Sequence, residues 1–258
     1  MHPIGLHHLL FAETRKNLLV MVRYPLQPIM GLLILAVVFG AISFGIARYP
    51  TLGLFEGGDQ RVVVASFFCW VIAMGAVGHI AAELEEDVKT GLLEPLFLSR
   101  HPATLVILVR SLASSGSGLL LSFATLAILD WQTGAPLHLG FSTLLALVLL
   151  DLSLSSIGLI MAGIVILFKR AASIAPLFYL GFGALVAQQI SLRPDDELFR
   201  YPISSPVELF TRTLFGTDIP LSGWSYVLAW AVLSLACGIA VLRLCIGRAR
   251  RMGTLSHY

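Results

Sequence analysis

The chain has 258 residues, 57% of them hydrophobic and only 12% charged, with a formal net charge of +2 and a mean hydropathy of +0.87. A soluble domain carries about 25% charge, so this composition excludes an ordinary water-soluble fold and points to a bilayer. The small net charge supplies no basic surface for nucleic acid, and Cys69, Cys237 and Cys245 have no CxxC spacing, implying neither a disulfide framework nor a metal site.

Residues 4–24 open the chain as a moderately amphipathic stretch. Leu6, Leu9, Leu10, Leu18, Leu19 and Val22 mix with His7, Glu13, Arg15, Lys16 and Arg23. Such a segment lies in the membrane interface with its cations at headgroup level, or it packs beneath a bundle. Pro25 and Pro28 then interrupt helical hydrogen bonding and predict a bend into the first span. Residues 1–27 are accordingly read as an interfacial segment.

Six runs reach the roughly 20 apolar residues that a helical crossing needs. They are Ile29–Ala47, Val62–Ala82, Ala103–Leu129, Phe141–Phe168, Ala171–Leu192 and Gly223–Leu242. The first begins too late, and is too long, for a cleaved signal peptide. No alternating strands of about ten residues point to a barrel. The expectation is one all-α polytopic domain spanning residues 1–258, with six transmembrane helices and both termini on one side.

Lysine and arginine choose the side. One set of connections holds Arg15, Lys16, Arg23, Lys89, Arg100, Lys169, Arg170, Arg248, Arg250 and Arg251, ten in all. The opposite set holds five: Arg48, Arg61, Arg193, Arg200 and Arg212. The positive-inside rule therefore predicts cytoplasmic termini in a cytoplasmic (inner) membrane.

Small residues predict where helices approach closely. The third span carries Ser114-Ser115-Gly116-Ser117-Gly118. The fourth carries Ser153, Ser155, Ser156, Gly158, Ala162 and Gly163, and the fifth carries Gly181 and Gly183. Between the fifth and sixth spans, residues 193–222 form an external hairpin-like segment with one short helix. Ser205 is its expected N-cap, with Pro206 at the first position and Glu208 completing a capping box. Gly216 closes it. This helix dips into the outer leaflet or caps the bundle.

Charge inside a span is costly and marks function by default. Asp151, ten residues into the fourth span, is read either as a pathway or proton group or as an acid held by serine or arginine partners. Arg110 in the third span snorkels, pairs with an acid or faces a substrate. Gln188 and Gln189 line an exit route or meet headgroups. His79 and Glu83 share one helical face, and a polar contact is expected there rather than a metal site. None of the lysines, Lys16, Lys89 and Lys169, follows a glycine, so GxxxxGK[ST] cannot occur. HExxH and GxSxG are also missing, and no catalytic residue is assigned.

Charge concentrates instead at Glu83–Glu94, where six of twelve residues are ionic. Lying in the connection 83–102 between the second and third spans, the cluster is expected on a short cytoplasmic helix offered to a soluble partner. Its details resemble the permease family of ABC-2 type transporters, whose pattern is Glu-x-x-x-Gly-Ser/Thr-apolar-Glu-x-apolar-apolar-x-Ser/Thr-Pro. Asp87, Gly91, Leu93, Glu94, Leu96, Phe97 and Ser99 fill it. Leu92 replaces the hydroxyl residue, although Thr90 precedes the glycine. Arg100 stands where proline often follows, with Pro102 two residues on. Ser205-Pro206-Val207-Glu208, Arg212 and Leu214-Phe215-Gly216 are similar to the family's segment before the last span.

The resemblance implies a half-transporter that pairs with a second copy or a sister permease. It implies two separately encoded ABC ATP-binding subunits that hold ATP and Mg, with no cofactor in this chain. Glu83, Glu85, Glu86, Asp87, Thr90, Gly91 and Glu94 would form the coupling helix. The cargo would be a drug, lipid, lipid-linked glycan or peptide moving outward. Two other readings stay open: an ion- or proton-coupled carrier acting without an ATPase, with Asp151 as its proton site, and a related membrane subunit in haem or cofactor handling.

Overall fold

The computed structural model describes residues 6–48, 60–98, 101–134, 137–168, 176–183 and 202–252, and these are helical apart from short connections. The helices are α1 (Leu6–Arg23), α2 (Leu26–Arg48), α3 (Gln60–Lys89), α4 (Leu93–Leu98), α5 (Ala103–Thr133) and α6 (Phe141–Phe168). After them come α7 (176–183), α8 (Ser205–Leu214) and α9 (Leu221–Arg251).

Four of these are long and apolar enough to cross a membrane: Arg61–Lys89, Ala103–Trp131, Phe141–Phe168 and Leu221–Arg251. The first expected span, Ile29–Ala47, falls wholly within the 23-residue α2, whose described apolar stretch is Ile29–Ala41. Of the fifth, Ala171–Leu192, only 176–183 are among the described residues, and the Lys169-Arg170 connection lies outside them.

The break before α2 is narrow. Only Tyr24 and Pro25 separate the helices, while Pro28 falls in the first turn of α2, where its missing N–H has no intrahelical partner to lose. One side of α1 rests on α5, and Phe11, Leu19 and Val22 are exposed on it. Of the two expectations for this segment, packing on the bundle is the one observed.

α6 is the centre of the bundle. In its most apolar stretch 67% of residues are buried, against 22% in α9. Glycine is what lets the neighbours close in. A Cβ on Gly158 would lie 2.5 Å from the Ala76 carbonyl oxygen of α3, and one on Gly238 of α9 would lie 2.6 Å from the Ser156 carbonyl oxygen of α6. Gly163 likewise faces Leu242 and Cys245. The small-residue face expected on the fourth span is therefore real. The one expected on the third is different, because a Cβ on Gly116 or Gly118 would meet none of the described residues within 4 Å.

These contacts fix directions. Gly163 meets residues 242 and 245 while Ser156 meets Gly238, so α6 and α9 run parallel. Gly78 approaches the Tyr179 hydroxyl and Gly183 approaches Trp70, so α7 runs against α3.

α8 is docked, not adrift. Eight of its ten residues are buried, and Phe210 stacks on Phe68 of α3 with ring centroids 5.4 Å apart. It caps one end of the bundle, where the Thr143 hydroxyl donates to the His138 carbonyl at 2.6 Å and the His138 N–H donates to Leu214 O at 2.9 Å. The capping box is not formed. Ser205 donates instead to Pro202 O at 2.8 Å, and the Glu208 carboxylate accepts from Arg212 at 2.9 and 3.1 Å. The N-cap is Ser204, with no side-chain cap hydrogen bond, and Ser205 is already the first helical residue, so Ser205 and Glu208 stand one place out of register for a box and Pro206 falls at the second position. Closure by Gly216 is as expected: its φ is +75°, and Gly216 and Thr217 donate to Thr213 O and Arg212 O in a Schellman motif.

Candidate functional site

The acidic cluster does not form a separate helix. Its residues up to Lys89 are the last two turns of α3, which runs unbroken for 30 residues. At 1.5 Å per residue that is about 45 Å, well beyond a hydrocarbon core of about 30 Å. The sequence carries the helix past its apolar part because Leu84 and Val88 remain buried at i, i+4 and Glu85 pairs with Lys89 at 2.8 Å. Gly91 stops it, with φ +73°. The Gly91 N–H donates to Val88 O at 3.3 Å and the Leu92 N–H to Asp87 O at 2.9 Å, a second Schellman closure. The six-residue α4 follows at once.

The expected coupling residues fall on two sides of this end. Asp87 is buried and Glu83 half-buried, both turned toward α5. There Arg110 hydrogen-bonds Asp87 Oδ2 through Nη1 and sits 3.2 Å from Glu83 Oε1 through Nη2. Lys16 of α1 reaches the same Glu83 oxygen at 3.9 Å while holding Glu13 at 2.7 Å. Together these side chains knot α1, α3 and α5. Of the readings for Arg110, pairing with an acid is the one observed.

Glu86, Lys89, Thr90, Gly91 and Leu92 form the exposed side and tip. Leu92 is 55% exposed, although the position after a Schellman glycine commonly packs back on its helix. The Thr90 hydroxyl is turned to its own helix and donates to Glu86 O at 2.8 Å. Glu94 is the second residue of α4, while Ser99 and Arg100 lie outside the described residues. The C-terminal end of α9 is here too: the Arg250 guanidinium lies 5.5 Å from the Phe97 ring centroid, a cation–π contact.

The second polar constellation is inside the bundle. Asp151 on α6 is 9% exposed, and Ser115 of α5 hydrogen-bonds it. Ser115 Oγ also lies 3.0 Å from Ser155 Oγ, one turn along α6. Asp151 and Ser115 border a cavity between α3, α5 and α6. The sequence flags Asp151 without identifying its partner. It marks Ser115 only as a small packing residue, and a hydroxyl among glycines is the one signal it offers. Gln188 and Gln189 lie outside the described residues. Among the described residues, no three His, Cys, Asp or Glu side chains group as metal ligands.

No protein-family model matches the chain, and no curated protein matches it.

Proposed function

We propose that this chain is the permease subunit of an ATP-binding-cassette exporter, driven through the α3–α4 turn by a separate ATPase. The observation that carries the reading is the exposed, glycine-closed end of α3, which extends past the apolar part of the helix and connects directly through α4 to α5. A partner gripping Glu86, Lys89 and Leu92 would act on two span-length helices at once. The chain has no GxxxxGK[ST] of its own to supply that work. The motif resemblance around Asp87, Gly91 and Glu94 names the class of motor.

In this reading six helices cross the inner membrane and α1 lies at the cytoplasmic interface. The cationic end of α9, with Arg248, Arg250 and Arg251, shares the cytoplasmic side with the turn. Two ATPases with ATP and Mg engage two permeases, and the cargo is hydrophobic or amphipathic. The packing supports a division of labour within the cluster: Glu83 and Asp87 hold the bundle, leaving Glu86 and Leu92 for contact.

Glu86→Lys combined with Leu92→Asp is therefore expected to abolish copurification of an ABC ATPase and the associated ATP hydrolysis. The permease itself should remain membrane-inserted and monodisperse. An undiminished ATPase complex would sink the coupling assignment. A second reading, a carrier acting alone, is favoured by the buried Asp151; it requires transport in vesicles that hold this chain and no ATPase.

A further inference from the structure

Polar side chains within the bundle gather around a cavity of about 110 Å³ between α3, α5 and α6. Asp151 borders it about 15 Å along α6, near the middle of the helix. Ser111, Ser114, Ser115 and Ser122 of α5 and His79 of α3 complete the polar lining. Among the described residues no lysine or arginine lines it, and the guanidinium of Arg110 is committed to Glu83 and Asp87. A carboxylate surrounded by hydroxyls, with no lysine or arginine beside it among the described residues, is unfavourable at such depth. The same arrangement suits a cation that carries N–H donors, since each hydroxyl oxygen also accepts.

Size narrows the ligand. Whole drug-sized ligands take about 300–1,000 Å³, whereas this volume matches a few water molecules at about 30 Å³ each. An ammonium group with its adjoining methylene fits, and the rest of the molecule must lie outside. The mouth allows it: Gly75 and Gly118 border the cavity, are exposed, and would meet none of the described residues within 4 Å if given a Cβ.

We propose that this cavity binds the ammonium end of an amphipathic amine, with Asp151 as counter-ion, the α5 serines as acceptors and the tail leaving between Gly75 and Gly118. That the bound amine is cargo rests on the exporter reading; that it binds does not.

The test uses the full chain in phosphatidylcholine nanodiscs without any ATPase, and radiolabelled n-decylamine as probe against empty discs. Saturable binding is expected, weakened at least tenfold by Asp151→Asn and several-fold by Ser115→Ala. Unlabelled n-decanol should not compete. Gly118→Leu fills the mouth while sparing Asp151, and it should also abolish binding, which keeps the test decisive if Asp151→Asn misfolds. Equal competition by n-decanol would reduce the site to lipid partitioning and overturn the proposal. So would displacement by sodium chloride at matching concentration, which would mark an inorganic-cation site, or unchanged affinity in Asp151→Asn. Failure of the ATPase copurification would leave this result untouched, so the two ideas fall separately.

Discussion

Gly158→Leu is expected to prevent the chain from folding into a stable bundle, and Gly238→Leu to do the same. At both positions the obstacle is a main-chain carbonyl oxygen, 2.5 Å and 2.6 Å from the would-be Cβ. A flexible side chain swings away from such a contact; a helix backbone moves only with its whole helix. Overpacking a tight interior costs about 1–3 kcal/mol even when the addition is small, and leucine adds three further carbons. α6 would separate from α3 in one variant and from α9 in the other. Fluorescence-detected size exclusion should show little monodisperse protein, and thermal unfolding of any remainder should come well below wild type. Gly116→Ala is the control, since none of the described residues lies within 4 Å of its would-be Cβ, and it should melt close to wild type. Wild-type yield and melting for Gly158→Leu would disprove the close-approach account.

The contrast between Gly158 and Gly116 also shows what the sequence holds. Both sit in runs of serine and glycine within span-length apolar segments, and both runs have the composition of a packing face. α6 is apolar on all sides, so periodicity cannot say which face meets which helix. Composition gives the capacity for close approach, while the partner is a property of the assembled bundle. Helix ends are more legible, because a left-handed glycine is a local requirement: Gly216 closes α8 as expected and Gly91 closes α3. The Ser205–Glu208 box fails because the helix starts one residue earlier than the motif implies, with Ser204 as N-cap and Ser205 inside the first turn.

At the acidic end the existence of a site is legible and its internal arrangement is not. Six charges in twelve residues stand out against an apolar chain. Charge density alone, however, suggests an independent helix, whereas Leu84 and Val88 keep the segment in register with α3 and bury one side of it. The cluster's two faces follow from that helical continuity. Glu83 and Asp87, at i, i+4, point inward with Leu84 and Val88 close by, and Glu86 points out. The partner, Arg110, lies 23 residues from Asp87, a separation that no local pattern encodes. Asp151 and Ser115 are a further case: each is visible as a residue, and only the packing of α5 on α6 makes them a pair.

Arg110→Met is expected to destabilise the bundle strongly, and the loss should be recovered when its acids are neutralised as well. The side chains of Asp87 and Glu83 are 9% and 28% exposed, so removing the guanidinium strands two neighbouring carboxylates away from water. Breaking a buried ion pair from one side costs about 3–5 kcal/mol; the partial exposure of Glu83 and the nearby Lys16 place this case toward the lower figure. Replacing all the charges with neutral groups is often close to neutral in stability. Arg110→Met/Glu83→Gln/Asp87→Asn should therefore melt nearer to wild type than Arg110→Met does, the strongly non-additive signature of one network. Arg110→Lys should rescue little, because a single ammonium cannot address two carboxylates as the guanidinium fork does. Additive losses across the series would refute the knot. Exposed Glu86 supplies the complementary variant: Glu86→Lys should leave melting unchanged while weakening the ATPase complex. The two substitutions would then separate a charge that joins α3 to α5 from one that faces a partner. If the proposed coupling holds, a push on the Gly91 turn would pass from α3 to α5 through Arg110 and to α1 through Lys16.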